Sequence, residues 1–195
     1  MLCSKCGAYF GPEGIKIRRS CFKCTDHAYA RAFACGLYEK ALAAELLDLK
    51  SVPDPASRLR DLIKETVLNG SAPDIDLVVP APLSRQRRAE RGFNQADIIA
   101  SLAARSLGID VDLKSLVRTR HTIPHRTGMD KIARERSVEG AFAVTRPNLI
   151  AGRTILLVDD IFTSGSTASA CADALLKSKA ARIDVFTVAR AAIKY

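Results

Sequence analysis

Residues 154–170, TILLVDDIFTSGSTASA, constrain the fold of this chain more than any other stretch. Ile155–Val158 are consecutive apolar residues without polar alternation, so a strand made from them is buried on both faces. Such strands lie inside parallel sheets that carry helices on either side. Asp159 and Asp160 then fall at the carboxyl end of the strand, where open α/β sheets bind their ligands. Thr163, Ser164, Gly165, Ser166 and Thr167 follow as a tight loop feeding a helix expected over Ser166–Lys179. Backbone N–H groups converge at the positive end of that helix, Ser and Thr hydroxyls add donors, and Gly165 leaves room for close approach. The loop reads as a phosphate cradle. The two acids ahead of it accept hydrogen bonds from hydroxyls and attract Mg2+, and a sugar phosphate satisfies both halves.

Three other readings of this stretch are weaker. A nucleoside-triphosphatase P-loop needs a Lys that this loop lacks. A receiver domain opens on a strand of this kind, yet about 35 residues follow it here, too few for the rest of a doubly wound sheet. A plain helix capped by Ser166 or Thr167 leaves the adjacent acids without purpose.

The remaining sequence supplies the partners of a parallel sheet. Apolar spacing predicts helices over Tyr38–Lys50, over 55–70 with Gly70 as a stop, and over 93–108, where Ala96, Ile99, Ala103 and Leu107 share one face. Ile75–Val79, the start of LVRTRHTIPHRTGMD, GAFAV and IDVFTVAR read as strands. PAPLSRQRRAERG reads as a basic loop and KIARERS as a short helical turn. With 195 residues, 48% of them hydrophobic, the chain is long enough for one α/β core plus a small appendage. No apolar run approaches the roughly 18–20 residues of a membrane span, and MLCSKCG is not a secretory signal, so a cytoplasmic protein without membrane insertion is expected.

The appendage is read from cysteines. Cys3, Cys6, Cys21 and Cys24 form two Cys-x-x-Cys knuckles, the spacing of a structural Zn2+ ribbon with all four ligand positions filled. Disulfides compete with this reading but would be kept reduced in the cytosol. A boundary is drawn between a four-cysteine module over 1–34 and an α/β domain over 35–195. Cys35 and Cys171 are left as small buried hydrophobes, and His27, surplus to the ligand set, as polar surface. A formal net charge of +9 favours anionic partners without naming one.

ILLVDDIFTSGST resembles the phosphoribosyl diphosphate (PRPP) signature of type I phosphoribosyltransferases. The knuckles, VVPAPL, RRAERGFNQA, RERSVEGAF and VFTVAR make the whole chain similar to the ComF family of competence-associated proteins. The resemblance implies a type I phosphoribosyltransferase fold behind a zinc ribbon. It also implies that Asp159 and Asp160 hold the ribose hydroxyls with Mg2+, and that Thr163–Thr167 hold the 5-phosphate. Pro80–Arg85 match the diphosphate loop, so Pro80, Ala81, Pro82 and Arg85, with Arg87 and Arg91, are its candidate contacts. Arg118, Arg120 and Arg126 join them from the stretch where the superfamily carries an active-site hood; Arg88 and Arg120 read better as solvated surface. The family has Gln where His125 or Arg126 stands and Asn at Ser137. His121 and His125 read as loop residues or phosphate contacts. Two functions stay open: a Mg2+-dependent transfer of phosphoribosyl to an unidentified acceptor, or a PRPP- or nucleotide-binding regulatory module. The family's link to DNA uptake makes single-stranded DNA or a competence protein an expected partner.

Overall fold

The computed structural model describes residues 3–7, 24, 26–71, 74–120, 138 and 140–191. Four parallel strands make its main sheet: β1 (Arg31–Leu37), β2 (Leu77–Pro80), β5 (Thr154–Phe162) and β6 (Arg182–Arg190), in the order β1-β6-β5-β2. Val111 bridges Val78 beyond β2 and extends the sheet by one more parallel contact. TILLVDDIF is thus an inner strand, as its unbroken apolar run requires, and Ile155–Val158 are all inaccessible to solvent.

Alternate residues of the sheet feed two cores. On one face Val78, Leu156, Val158 and Phe186 meet three helices, α1 (Lys40–Asp48), α2 (Ser57–Gly70) and α4 (Gln95–Leu107). In α2 the residues Leu59, Ile63 and Val67, four apart, bury one stripe. In α4 Ala96, Ala100, Ala103 and Ala104 keep the buried face small, so the helix axis comes close to β2 and β5. On the other face Leu77, Val79, Leu157 and Val185 meet α5 (Ser166–Lys177) through Ala168, Cys171, Ala172 and Leu175. Cys3, Cys6 and Cys24 belong to this second core.

Three features differ from the sequence reading. Arg31–Leu37, where no strand is expected, is edge strand β1, and the boundary drawn at residue 34 falls inside it. Its apolar run is short and broken by Arg31 and Gly36, and its register is held instead by Asp184. That fully buried carboxylate accepts from Arg31 Nε at 2.7 Å and from Arg182 Nη2 at 2.8 Å, directly across the Arg31–Asp184 pair. The basic loop PAPLSRQRRAERG is corrected over its second half to a helix, α3 (Arg85–Arg91), because Ser84 caps it by accepting the Arg87 N–H and Gly92 ends it. The short strands β3 (Leu116–Arg118) and β4 (Phe142–Val144) pair antiparallel as a separate ribbon rather than joining the parallel sheet. KIARERS, with His121, His125, Arg126 and Ser137, lies outside the described residues. No described helix is long and apolar enough to cross a membrane.

Candidate functional site

The carboxyl ends of the parallel strands converge at one edge of the sheet, and β5 carries the acids to its centre. Pro80 pairs with Val158 and the Ala81 N–H reaches Val158 O at 2.8 Å, which places the loop after β2 beside Asp159. On the other flank Asp159 pairs with Thr187 of β6. Each acid folds onto the following peptide: Asp159 Oδ1 accepts the Asp160 N–H at 2.9 Å, and Asp160 Oδ1 accepts the Ile161 N–H at 2.7 Å. One oxygen of each carboxylate is thereby fixed in orientation.

Burial, then the neighbouring charge of Asp160, holds the Asp159 carboxyl well above the usual carboxylate range; Arg118 acts in the opposite direction. Burial first, and Asp159 second, push the Cys171 thiol well up, so this cysteine is an uncharged neighbour of the acid. Arg118 stands at the end of β3 with its guanidinium 5.3 Å from the Phe142 ring centre. Burial and then repulsion from Arg87 draw Arg118 below its ordinary value. Asp159 at the strand end therefore feels a cation presented by the ribbon, and the pairing of acids with a cation suits a ligand that brings both hydroxyls and anionic oxygens.

The Thr163–Thr167 loop follows at once. Gly165 takes φ +83° and caps α5, so the cap is this glycine rather than Ser166 or Thr167. Ser164 Oγ and Ser166 Oγ lie 2.8 Å apart, and the Ser166 N–H points at Ser164 Oγ at 3.4 Å. Asp159, Thr163, Gly165, Thr167 and Thr187 line one small recess. Thr187 Oγ1 is buried there without a hydrogen-bond partner among the described residues, which leaves a donor for a bound oxygen.

Of the diphosphate-loop candidates, Pro80, Pro82 and Arg85 line a cleft of about 360 Å³ together with Arg88, Lys114 and Arg118. Ala81 is buried and acts through its backbone, since its carbonyl accepts Asn94 Nδ2 at 3.1 Å. Arg87 contributes charge near Arg118. Arg91 turns away to donate to Gln95 Oε1 at 2.9 Å and supports the start of α4. Arg88 is exposed and pairs with Asp97 at 3.2 Å.

The sequence reading of His27 is corrected. The residue is 7% exposed and its Nδ1 lies 2.6 Å from Tyr29 Oη, with the ring against Gly165 of the Thr163–Thr167 loop. Asn94, within RRAERGFNQA, is a further residue of the site that no motif signals: its amide ties the loop after β2 to α4. For His27 the available signal was its place three residues after the second knuckle, which fixes its distance from a cluster but not what the cluster is docked against.

Three of the expected thiol ligands come together. The sulfurs of Cys3, Cys6 and Cys24 lie within 4.8 Å of one another, and those of Cys3 and Cys24 are 3.5 Å apart. Tetrahedral Zn2+ at about 2.3 Å from each sulfur separates them by about 3.8 Å, so the spacing fits. The Cys6 N–H points to Cys3 Sγ at 3.5 Å, the turn geometry that lets both thiols of a knuckle face one ion. Arg190, buried, puts Nη2 3.8 Å from Cys6 Sγ and donates to Cys6 O. No carboxylate pairs with Arg190 among the described residues, so its guanidinium is turned to the backbone and sulfur of Cys6. Cys21 lies outside the described residues.

The family model for a phosphoribosyl transferase domain matches residues 81–195, starting at the first residue beyond β2. The chain belongs to the phosphoribosyl transferase domain family. Within it the chain is of ComF type. It is 34% identical over 115 residues to DNA utilization protein YhgH of Escherichia coli K12, covering 59% of this chain and 49% of that protein. To competence protein ComFC of Bacillus subtilis it is 34% identical over 119 residues, covering 58% and 44%. A YhgH of Salmonella typhi matches over 97% of this chain and 84% of its own length at 28% identity. The chain spans about half the length of most curated relatives it matches. Among solved structures, glutamine PRPP amidotransferase from B. subtilis is similar over 66% of this chain and 26% of that chain, at 19% identity and a TM-score of 0.45. A likeness at that level adds nothing to the family assignment.

Proposed function

We propose that this ComF-type chain binds PRPP together with Mg2+ at the carboxyl end of β5 and transfers its phosphoribosyl group to an acceptor. The observation that carries the reading is the junction of Asp159 and Asp160 with the Gly165 loop, beside the loop after β2, on one sheet edge. Displacement of diphosphate from ribose C1 passes through an oxocarbenium-like state, so the work left to the protein is to hold the two phosphate ends and stabilise the departing charge. The Thr163–Thr167 loop grips the 5-phosphate through backbone N–H groups and hydroxyls. The carboxylates of Asp159 and Asp160 accept the ribose 2- and 3-hydroxyls, which fixes C1 relative to the 5-phosphate. Backbone N–H groups after Pro80, with Arg85 and Arg118, take up the charge released on the diphosphate. Asp159 and Asp160 would hold Mg2+, which would supply positive charge to offset that of the departing diphosphate. A cation there would favour ionisation of Asp159, a half-buried acid whose charge is opposed by desolvation and by its neighbour.

The competence and DNA-utilization names of the relatives, with the net charge of +9, support a role beside single-stranded DNA or a competence protein. The exposed cations Arg85, Arg88 and Lys114 around the cleft are the surface such a partner would meet. Incubation with PRPP and Mg2+, with and without amine, base or nucleic-acid acceptors, reads diphosphate release. Acceptor-dependent release lost in Asp159→Asn/Asp160→Asn supports transfer. PRPP binding without release under any acceptor replaces transfer by a binding module.

A further inference from the structure

The phosphate loop turns on a residue that cannot hold its own shape. At φ +83° Gly165 has the backbone freedom that only glycine enjoys, so something outside the loop must fix it. Two rings do so. A Cβ built on Gly165 would lie 2.7 Å from His27 Cε1 and 2.7 Å from Phe162 Cζ, closer than any real contact, so the glycine is clasped between them. Tyr29 completes the clasp, with its ring centre 5.2 Å from that of His27 and 6.0 Å, edge-on, from that of Phe162.

Both jaws are held from the cysteine cluster. The His27 N–H donates to Cys24 O at 3.2 Å, and its carbonyl accepts Lys5 Nζ, from between Cys3 and Cys6, at 2.7 Å. The next residue, Ala28, donates its N–H to Ser169 Oγ at 3.0 Å, in the first turn of α5. On the other side the Arg190 guanidinium lies 4.8 Å from the Phe162 ring centre while donating to Cys6 O. Each knuckle thus reaches Gly165 through one aromatic ring.

We propose that His27 is a positioning residue for the phosphate loop, and that the closed thiolate cluster is what keeps it in place. The idea rests on the reading of that loop as the 5-phosphate grip. It makes the metal site, which touches no substrate, a determinant of sugar-phosphate affinity. Opening the cluster frees His27 and Phe162, the loop samples other shapes, and apparent affinity falls by the fraction of time the gripping shape is lost.

The test uses the full Zn2+-loaded chain and two probes measured separately by calorimetry, ribose 5-phosphate and inorganic diphosphate with Mg2+. Amide exchange of the peptide covering 163–167 is followed without ligand. His27→Ala is expected to weaken ribose 5-phosphate about tenfold, leave diphosphate within about twofold, and speed loop exchange about tenfold. Tyr29→Phe keeps the ring, removes the hydroxyl beside His27 Nδ1, and moves both readouts the same way by about two- to threefold. Chelation of the metal should reproduce the loop exchange of His27→Ala. Unchanged loop exchange in the folded variants, or equal loss for both probes, overturns the role of His27. Unchanged exchange after complete metal removal overturns that of the cluster. A wild-type chain that ignores ribose 5-phosphate sinks the sugar-phosphate reading instead, and the exchange data still decide on His27.

Discussion

Asp159 accepts the N–H of Asp160 at 2.9 Å, so two acids consecutive in the chain share one strand end, and one of them is half-buried beside the other's charge. In the absence of ligand this is an unfavourable arrangement. The folded-state pKa of Asp159 lies above its unfolded value near 3.8, so folding opposes its ionisation. The stability this brings is complete below the unfolded value and is lost as pH rises through the folded one. Asp159→Asn should therefore stabilise the unliganded protein at neutral pH by about 1–2 kcal/mol, roughly 3–6 °C in Tm, while removing the stabilisation by PRPP and Mg2+. Thermal melts across pH 4–9, with and without ligand, check both halves. A variant less stable than wild type at neutral pH would sink the argument.

Ligand binding should show the same linkage with opposite sign. Mg2+ and ribose hydroxyls need the ionised acid, so Mg2+-dependent binding of PRPP should strengthen as pH rises through the Asp159 titration. Arg118 helps to keep that acid ionised. Arg118→Gln is expected to move the midpoint to higher pH and to weaken diphosphate about tenfold, comparable to one charge-assisted contact. Isothermal titration over a pH series reads the midpoint directly.

Cys35 and Cys171 give a chemical check on the core. Burial raises the Cys35 thiol to about 11, and Cys171 is also pushed up. At pH 8 about one Cys35 in a thousand is thiolate, so neither cysteine should react with an alkylating reagent before unfolding. Mass spectrometry after a brief native labelling pulse tests this, with the denatured chain as reference.

Asp184 is a structural prediction away from the site. Asp184→Ala leaves Arg31 and Arg182 without their shared acceptor at the β1–β6 junction. Both arginines reach solvent, so the loss should fall near 2–3 kcal/mol rather than at the full cost of stranding a buried charge. Urea denaturation gives the value, and affinity for ribose 5-phosphate should not change.

Metal removal should cost stability as well as loop order, because Cys3, Cys6 and Cys24 pack in the same core as Leu157 and Val185. Chelation is expected to lower Tm by roughly 10 °C, and elemental analysis should find about one Zn2+ per chain before it. Content far below one ion would exclude the ribbon.

What the sequence determined by itself was whatever depends on consecutive residues. Ile155–Val158 could only be an inner strand, Asp159 and Asp160 had to stand at its carboxyl end, and a helix had to follow the Thr163–Thr167 loop, because strand burial and chain direction are local properties, whereas the cap at Gly165 rather than Ser166 or Thr167 came from the folded backbone. The two knuckles declared a cluster for the same reason. What only the tertiary structure decided was which distant segments share a surface. Arg31–Leu37 looks unlike a strand until Asp184, 153 positions away, pairs with Arg31. His27 looks like surface until the docking of the cysteine cluster sets its ring on Gly165 and the neighbouring Cys6 sets Arg190 against Phe162. Arg118 becomes the counter-charge of Asp159 only once the β3–β4 ribbon is folded over the sheet. Spacing along the chain cannot report these contacts, since each is made by side chains whose meeting depends on the packing of the whole core.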